Sequence, residues 1–509
     1  MAKKNIKRKT AMNCLVFLFL TLFPVIYDNF YFNITLTKYK TFIFLATAIF
    51  FVAVSYNLSS NIRKNHGLKI QPPLYYLKRL TGSDWLFLFF LLTGIISCLH
   101  SEWPAASFTG SSGKYVGLLF LLLAGAMYYG ITRYFSWSPL IKYTFPVILT
   151  FISLMSVMQF CGKDVLGFYA DIADGTSQMY IATFGHIDVF SAFLCVYLPI
   201  CMMSFLCENK LALIFLYGTG SFMGFLGIFA ANSDSSYLGL LVSIVILMIL
   251  SFRDTGKIKK FSMLLSIFTA SALLWQLLHQ IFREDMRTMS AITTEITSSL
   301  GILCLFLICF GLFALGEYYS RRHTNPPAIL PLVLTIIIIL SFLSVLAAIF
   351  WFSVKDTSTE LGALENYLRF NNHWGSDRGY VWSWLIQIFV ASSWITKLFG
   401  AGPDTTKLLL YKYYETEMSD KLGVFYASAH NEYLNYLVTL GIIGTLLYLL
   451  LLIVSVINCI KKSSSDYFYG AIGLAIISYA AMAFVNISQP ITMPFIFLLI
   501  SFANLQNKG

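Results

Sequence analysis

Apolar residues in this chain come in long runs separated by short polar links. Fourteen runs stand out, at 11–28, 41–56, 85–99, 115–131, 142–159, 187–205, 211–230, 236–251, 261–278, 297–317, 329–352, 433–458, 468–485 and 491–503. Apolar stretches of about 20 residues predict membrane-crossing helices. Some runs are shorter than about 17 residues, so one of them fits a re-entrant or interfacial segment as well. One polar interruption is far longer than the rest, from Val354 to Glu432. A link of that length is usually functional or disordered. Its aromatic residues, among them Tyr367, Phe370, Trp374, Tyr380, Trp382 and Trp384, argue against disorder.

Composition turns the pattern into a fold class. Of 509 residues, 12% are charged and 58% hydrophobic, with a mean hydropathy of +0.72. Soluble domains carry about 25% charged residues. An all-α polytopic membrane protein of about fourteen helices is therefore expected. Three parts follow: an N-terminal bundle of about eleven runs (1–353), one large extracytoplasmic loop (354–432) and about three C-terminal runs (433–509). The net charge of +11 does not imply nucleic acid, because the basic residues sit mostly in the links. With the N-terminus inside, 22 of the 35 basic residues fall in cytoplasmic links or termini, which sets the orientation. Both termini are then cytoplasmic and the long loop faces outward. The basic start MAKKNIKRKT leads into a first span with no small-residue cleavage site. The nine cysteines are scattered, and no structural disulfide is expected.

Several outward links carry candidate chemistry. The sixth run starts at Phe184-Gly185-His186-Ile187-Asp188. Ionisable groups at a membrane boundary are costly unless paired or wet, so His186 and Asp188 either line a cavity or cap the helix. The cluster Ala231-Asn232-Ser233-Asp234-Ser235-Ser236 has the same two readings, with Asp234 as the candidate cap. Arg283 and Arg287 either bind phosphate or form a surface ion-pair cluster with Glu284 and Asp285. On the expected inner side, LKIQPPLYYLKRL within the 57–83 link is amphipathic and suits the membrane surface.

The long link carries the strongest candidates. Arg378 precedes an apolar stretch too short for a span, which would hold its guanidinium near headgroup level, where it can grip a phosphate. Snorkelling is the competing reading. Leu398-Phe399-Gly400-Ala401-Gly402-Pro403-Asp404 is a tight glycine-rich turn and no P-loop, since it lacks the lysine–hydroxyl pair. His430 stands just before the next apolar run. An imidazole suits proton abstraction from a sugar hydroxyl near neutral pH. Glu432 either orients it or is a surface acid.

The stretch AHNEYLNYLVTLGIIG, with LFGAGPD and Arg378-x-x-x-Trp382 before it, resembles the C-terminal signature of the O-antigen ligase and Wzy-type O-antigen polymerase superfamily. ATFGHIDVFSAF resembles a weaker G-N-x-N motif of the same group. The resemblance implies a GT-C-like membrane enzyme of the bacterial cytoplasmic membrane with an external active site. Such an enzyme transfers a glycan from a polyprenyl diphosphate without metal or other cofactor. Carried over by position, His430 would activate the acceptor hydroxyl and Arg378 would hold the donor diphosphate. Gly400, Gly402 and Asp404 would shape the loop, and His186, Asp188, Asp234, Glu432 and Trp382 would line the acceptor pocket.

The chain departs from that pattern at three positions. His186 and Asp188 stand where asparagines are common, and the cluster at 232–236 has no arginine. Arg283 or Arg287 would then supply the second phosphate contact. A one-step displacement would invert the anomeric centre. Metal-assisted departure would need clustered carboxylates, and only Asp164, Asp171 and Asp174 are candidates. Implied partners are the lipid-linked glycan, membrane lipids, a glycan or lipid acceptor and other polysaccharide-assembly proteins. A polymerase is favoured over a ligase acting on a lipid core, protein or wall acceptor. A lipid-glycan transporter is the third alternative, and it lacks the internal repeats and mid-membrane charges typical of that class.

Overall fold

The computed structural model describes residues 2–65, 77–111, 113–172, 176–487 and 489–506. Most of the amphipathic inner link and Asp174 lie outside the described residues. The chain begins with α1 (Ala2–Val25), α2 (Ile34–Asn65), α3 (Gly82–His100), a short α4 (Pro104–Thr109), α5 (Leu118–Tyr134) and α6 (Pro139–Phe160). A two-residue hairpin, β1 (Tyr180–Ile181) and β2 (Gly185–His186), pairs Tyr180 with His186. Then come α7 (Ile187–Cys207), α8 (Leu211–Ala231), α9 (Asp234–Ser251), α10 (Thr255–Ile281), α11 (Ala291–Thr297), α12 (Ser299–Arg321) and α13 (Ile329–Phe350). The long link folds as α14 (Glu365–Leu368), α15 (Trp374–Ala391), α16 (Trp394–Phe399) and α17 (Thr406–Leu422). The chain closes with α18 (Glu432–Lys462), α19 (Tyr467–Met482) and α20 (Met493–Ala503).

Every expected apolar run coincides with a helix. Eleven of the described helices are long and apolar enough to cross a membrane. Three more apolar stretches, Thr10–Val25, Leu118–Tyr134 and Met493–Ala503, are shorter. The last is 11 residues, roughly 17 Å at 1.5 Å per residue, and cannot span a core of about 30 Å. It is instead buried along its whole length by its neighbours.

The bundle centres on α7, buried over 94% of its apolar window and packed against α6, α8, α9 and α19. Close approach comes from small residues. A Cβ on Gly220, Gly224 or Gly227 of α8 would meet Pro146, Leu198 or Ser153 at 2.6–2.7 Å. Between apolar helices, such surfaces let backbones near each other and gain dispersion contacts.

The long link forms a helical cap with its own core. Val381, Trp382, Leu385, Leu409, Leu410 and Met418 pack with Leu434 and Val438 from the start of α18. The cap is keyed into the bundle at a broken helix. Gly441 (φ 70°) interrupts α18, so two of its carbonyls lose their helical partners. They are satisfied from the cap: Ala401 N–H donates to Val438 O (3.0 Å) and Gly402 N–H to Thr439 O (3.1 Å). Ser97 of α3 adds a hydroxyl to Thr439 O at 2.7 Å. A Cβ on Gly400 would lie 2.2 Å from Thr439 backbone atoms, so this approach needs glycine.

Candidate functional site

Helix polarity brings one set of termini together. The starts of α7, α9 and α18 meet the end of α19 beneath the cap, and the polar residues at these ends converge. Asp188, buried on the first turn of α7, accepts from Ser233 Oγ at 2.6 Å. Its Oδ2 lies 3.7 Å from Arg378 Nη2, while Arg378 Nη1 donates to Val485 O at 3.0 Å. Asn486 ties the two together, donating to Asp188 O at 2.8 Å. Arg378 opens the regular part of α15, directly after Gly375, Ser376 and Asp377, all with positive φ. Those left-handed residues turn the chain so that the guanidinium points into the bundle end and not along the surface.

His430 sits beside this pair at φ 47°, a conformation few non-glycine residues adopt. Its Nδ1 is buried and has no hydrogen-bond partner among the described residues. Two aromatic residues fix the segment. Trp382 Nε1 donates to Ala429 O at 2.7 Å, and Tyr426 meets the imidazole edge-on at 5.9 Å. Asn431 then caps α18 through Leu434 N at 3.0 Å. Burial, helped by the Arg378 charge and opposed by Asp188, pushes the imidazole down to about 3. A neutral ring at physiological pH results.

His430 lines a small cavity of about 20 Å³, with Lys114, Asp404, Asn435 and Asn486 among its other walls. That is room for about one water molecule. Asp404 (φ 60°) accepts from Ser111 N at 2.8 Å, Ser111 Oγ at 3.1 Å and Val116 N at 3.1 Å. Burial raises its carboxyl to about 6, against those bonds. Burial likewise lowers Lys114, with Asp404 opposing. The glycine-rich turn therefore does two things: it locks α18 and presents Asp404 to the cavity. Gly402 (φ 118°) lies against the Ser101 and Ser107 hydroxyls, which leaves no room for a side chain.

The other anticipated residues occupy distinct places. His186 caps α7, its Nδ1 accepting from Asp188 N at 3.2 Å, and burial lowers its imidazole. Asp234 is exposed and accepts from Tyr367 OH of the cap at 3.2 Å. Glu432 is 1% exposed and turns inward, where the Tyr448 and Tyr479 hydroxyls donate to it. It meets neither His430's Nδ1 nor solvent, because the first turn of α18 faces it into the bundle. Trp382 positions the His430 segment from behind. Arg287 donates through Nη1 to the Tyr180 and Gln178 carbonyls (2.9 and 3.3 Å) and stacks on Tyr169, which ties it to the 178–180 backbone. Arg283 is exposed in the turn after α10. Asp164 shapes its own loop, accepting from Tyr169 N at 2.7 Å.

Lys114, Asn435 and Asn486 were not anticipated. Lys114 had one signal in the sequence: a basic residue on the side opposite to the basic links, at the start of an apolar run. Asn435 and Asn486 had none, since polar residues near helix ends are common.

No curated protein matches the chain. Residues 287–449 match the family model described as O-antigen ligase, a stretch that contains Arg378, the Gly400–Asp404 turn and His430. Over that stretch, about a third of the chain, the protein is similar to the O-antigen ligase family.

Proposed function

We propose that the protein transfers an oligosaccharide from a polyprenyl diphosphate to a glycan hydroxyl on the outer face of the bacterial cytoplasmic membrane, as a polysaccharide polymerase. The observation that carries this reading is the unpartnered Nδ1 of His430, held in a strained backbone beside Arg378. Strain of this kind costs about 1–3 kcal/mol and persists where the surroundings enforce it, often at working sites.

In this reading the donor diphosphate takes the place of the Asp188 carboxylate beside Arg378, and Lys114 is the second cation. The acceptor oxygen attacks C1 and the C1–O bond to phosphate breaks. The electron pair leaves on the diphosphate, whose growing charge Arg378 and Lys114 offset in a site with little water. The hydroxyl proton passes to His430. One displacement inverts C1, and neither nucleotide nor metal is invoked. The depressed basicity of His430 has a role here. Arg378 contributes to it, so a bound diphosphate that offsets Arg378 makes the imidazole a stronger base only when donor is present. The fourteen apolar helices would all belong to one GT-C-like bundle, with both termini cytoplasmic and 354–432 outside.

The test is turnover of purified protein with a defined polyprenyl-diphosphate oligosaccharide, read as glycan length. A ladder of lipid-linked products, absent in His430→Ala and Arg378→Ala, supports the reading. Transfer to a second acceptor with no ladder makes the protein a ligase. Full activity in His430→Ala removes the base, and no covalent product across a broad donor panel overturns glycosyl transfer.

A further inference from the structure

A cavity far larger than the one at His430 lies at the same end of the molecule. A chamber of about 810 Å³ opens between the end of α3 and helices α15–α17. Three rings, Trp103, Tyr413 and Tyr414, form its aromatic lining, with His100, Glu102 and Gln387 as the main polar groups. The rings are held in place. Tyr414 stacks on Trp384 at 5.2 Å, and its hydroxyl donates to Gln387 Oε1 at 2.9 Å. The backbone N–H of Trp103 donates to Ser101 Oγ at 3.2 Å, which fixes the main chain that carries the indole. Lys412 sits over both Trp103 (5.6 Å) and Tyr413 (5.0 Å) and pairs with Glu102 at 2.5 Å. That pair ties α17 to the α3–α4 turn.

One loop separates this chamber from the His430 cavity. Ala401 lines the chamber, and Pro403 and Asp404 line the cavity. The loop is the rigid turn that Gly400 and Gly402 lock onto α18, so the distance between the two spaces is fixed.

We propose that the chamber is a saccharide subsite holding sugar units next to the reacting one, on either the acceptor or the donor glycan. This rests on the transfer reading above. The lining selects the ligand class. Sugars present apolar C–H faces to aromatic rings and hydroxyls to amide and carboxylate groups, and the chamber offers both. Ile388, Ala391 and Leu409 give the lining an apolar part, but a lipid tail would leave Glu102, His100 and Gln387 facing hydrocarbon. A phosphate would need net positive charge, and Glu102 already neutralises Lys412. The volume falls within the roughly 300–1,000 Å³ of small-molecule sites. The competing role for Trp103 and Tyr413 is as anchors at the membrane boundary.

The experiment is equilibrium dialysis of the full-length protein in detergent, with oligosaccharides released by mild acid from the lipid-linked pool of the cells that make it. Wild type and Arg133→Gln, altered at the opposite end of the bundle, are expected to bind alike. Trp103→Ala and the half-exposed Tyr413→Ala each weaken binding roughly tenfold, equivalent to about 1.4 kcal/mol, and Trp103→Phe restores part of it. Thermal unfolding checks that the variants are folded. No binding by wild type, or equal binding by all ring variants, overturns the subsite and leaves the transfer reading intact. Binding that depends on Trp103 with no turnover of any donor would keep the subsite and sink the transfer reading. In the turnover assay, a higher KM for acceptor alone places the acceptor glycan in the chamber, and a higher KM for donor alone places the donor glycan there.

Discussion

The two ends of the helix bundle treat charge in opposite ways. At the end rich in basic links, Arg133 pairs with Asp84 (3.0 Å), Lys142 with Asp466 (2.7 Å) and Lys259 with Glu317 (2.8 Å). Lys260 donates to the Glu208 carbonyl, and Tyr467 donates to the Glu208 carboxylate at 2.9 Å. These contacts join neighbouring helices and ask nothing further. At the other end Arg378 is 3.7 Å from Asp188, His430 Nδ1 has no partner among the described residues, and Lys114 faces a cavity. Several residues there carry positive φ and one helix is broken. Satisfied charge holds helices together. Charge left short of partners beside a strained backbone is the pattern that the proposed transfer site would use.

Substitutions can break this contrast. The largest effect is expected for His430→Ala, a fall in transfer of about 10²–10⁴-fold with folding retained, because general base catalysis contributes that much. Arg378→Ala should follow at about 10²–10³-fold, the scale for losing one stabiliser of developing negative charge. Arg378→Lys should recover only part, since the fork geometry is lost. Full turnover in either alanine variant would dissolve the contrast.

The opposite end should respond in stability and not in rate. Arg133→Gln leaves Asp84, 4% exposed, without its cation and should cost about 3 kcal/mol in unfolding, with transfer per folded molecule unchanged. Gly400→Ala tests the hinge between the two regimes. Backbone strain and overlap with Thr439 should together cost about 3 kcal/mol, read as a lower Tm, and lower transfer through misplaced Asp404. A neutral result there would mean the cap is not keyed at the α18 break.

The smallest effect is in pH. A general base works unprotonated, and the free-enzyme value of His430 lies below its ordinary 6.5. The acid limb of kcat/KM should therefore fall below pH 6. In Arg378→Gln one lowering charge is gone, so the limb of the residual activity should move to higher pH, short of 6.5 because burial is the larger cause. An unmoved limb would separate Arg378 from His430 electrostatically.

Much of this was legible in the chain. Hydrophobic run length fixed the helices, because a backbone in hydrocarbon must satisfy itself locally. The glycine-rich turn, Arg378 and His430 stood out because polar or conformationally free residues are rare in such a sequence. The partners of two further candidates were not legible. Tyr448 and Tyr479 donate to Glu432, and Arg287 donates to backbone carbonyls. A lone sequence does not show which distant hydroxyl or carbonyl reaches a charge first.

The sequence by itself therefore determined the helices, the links between them and the long link in which the candidate residues stand, since each depends on local hydrophobicity and spacing. Only the tertiary structure decided which charges are spent and which are kept. It placed Lys114, 316 residues before His430, and Asn486, 56 residues after it, at the same cavity as His430. It also docked the 400–404 turn onto a broken helix and so set the chamber beside the cavity. Those outcomes depend on contacts between segments from tens to hundreds of residues apart, which no local pattern encodes.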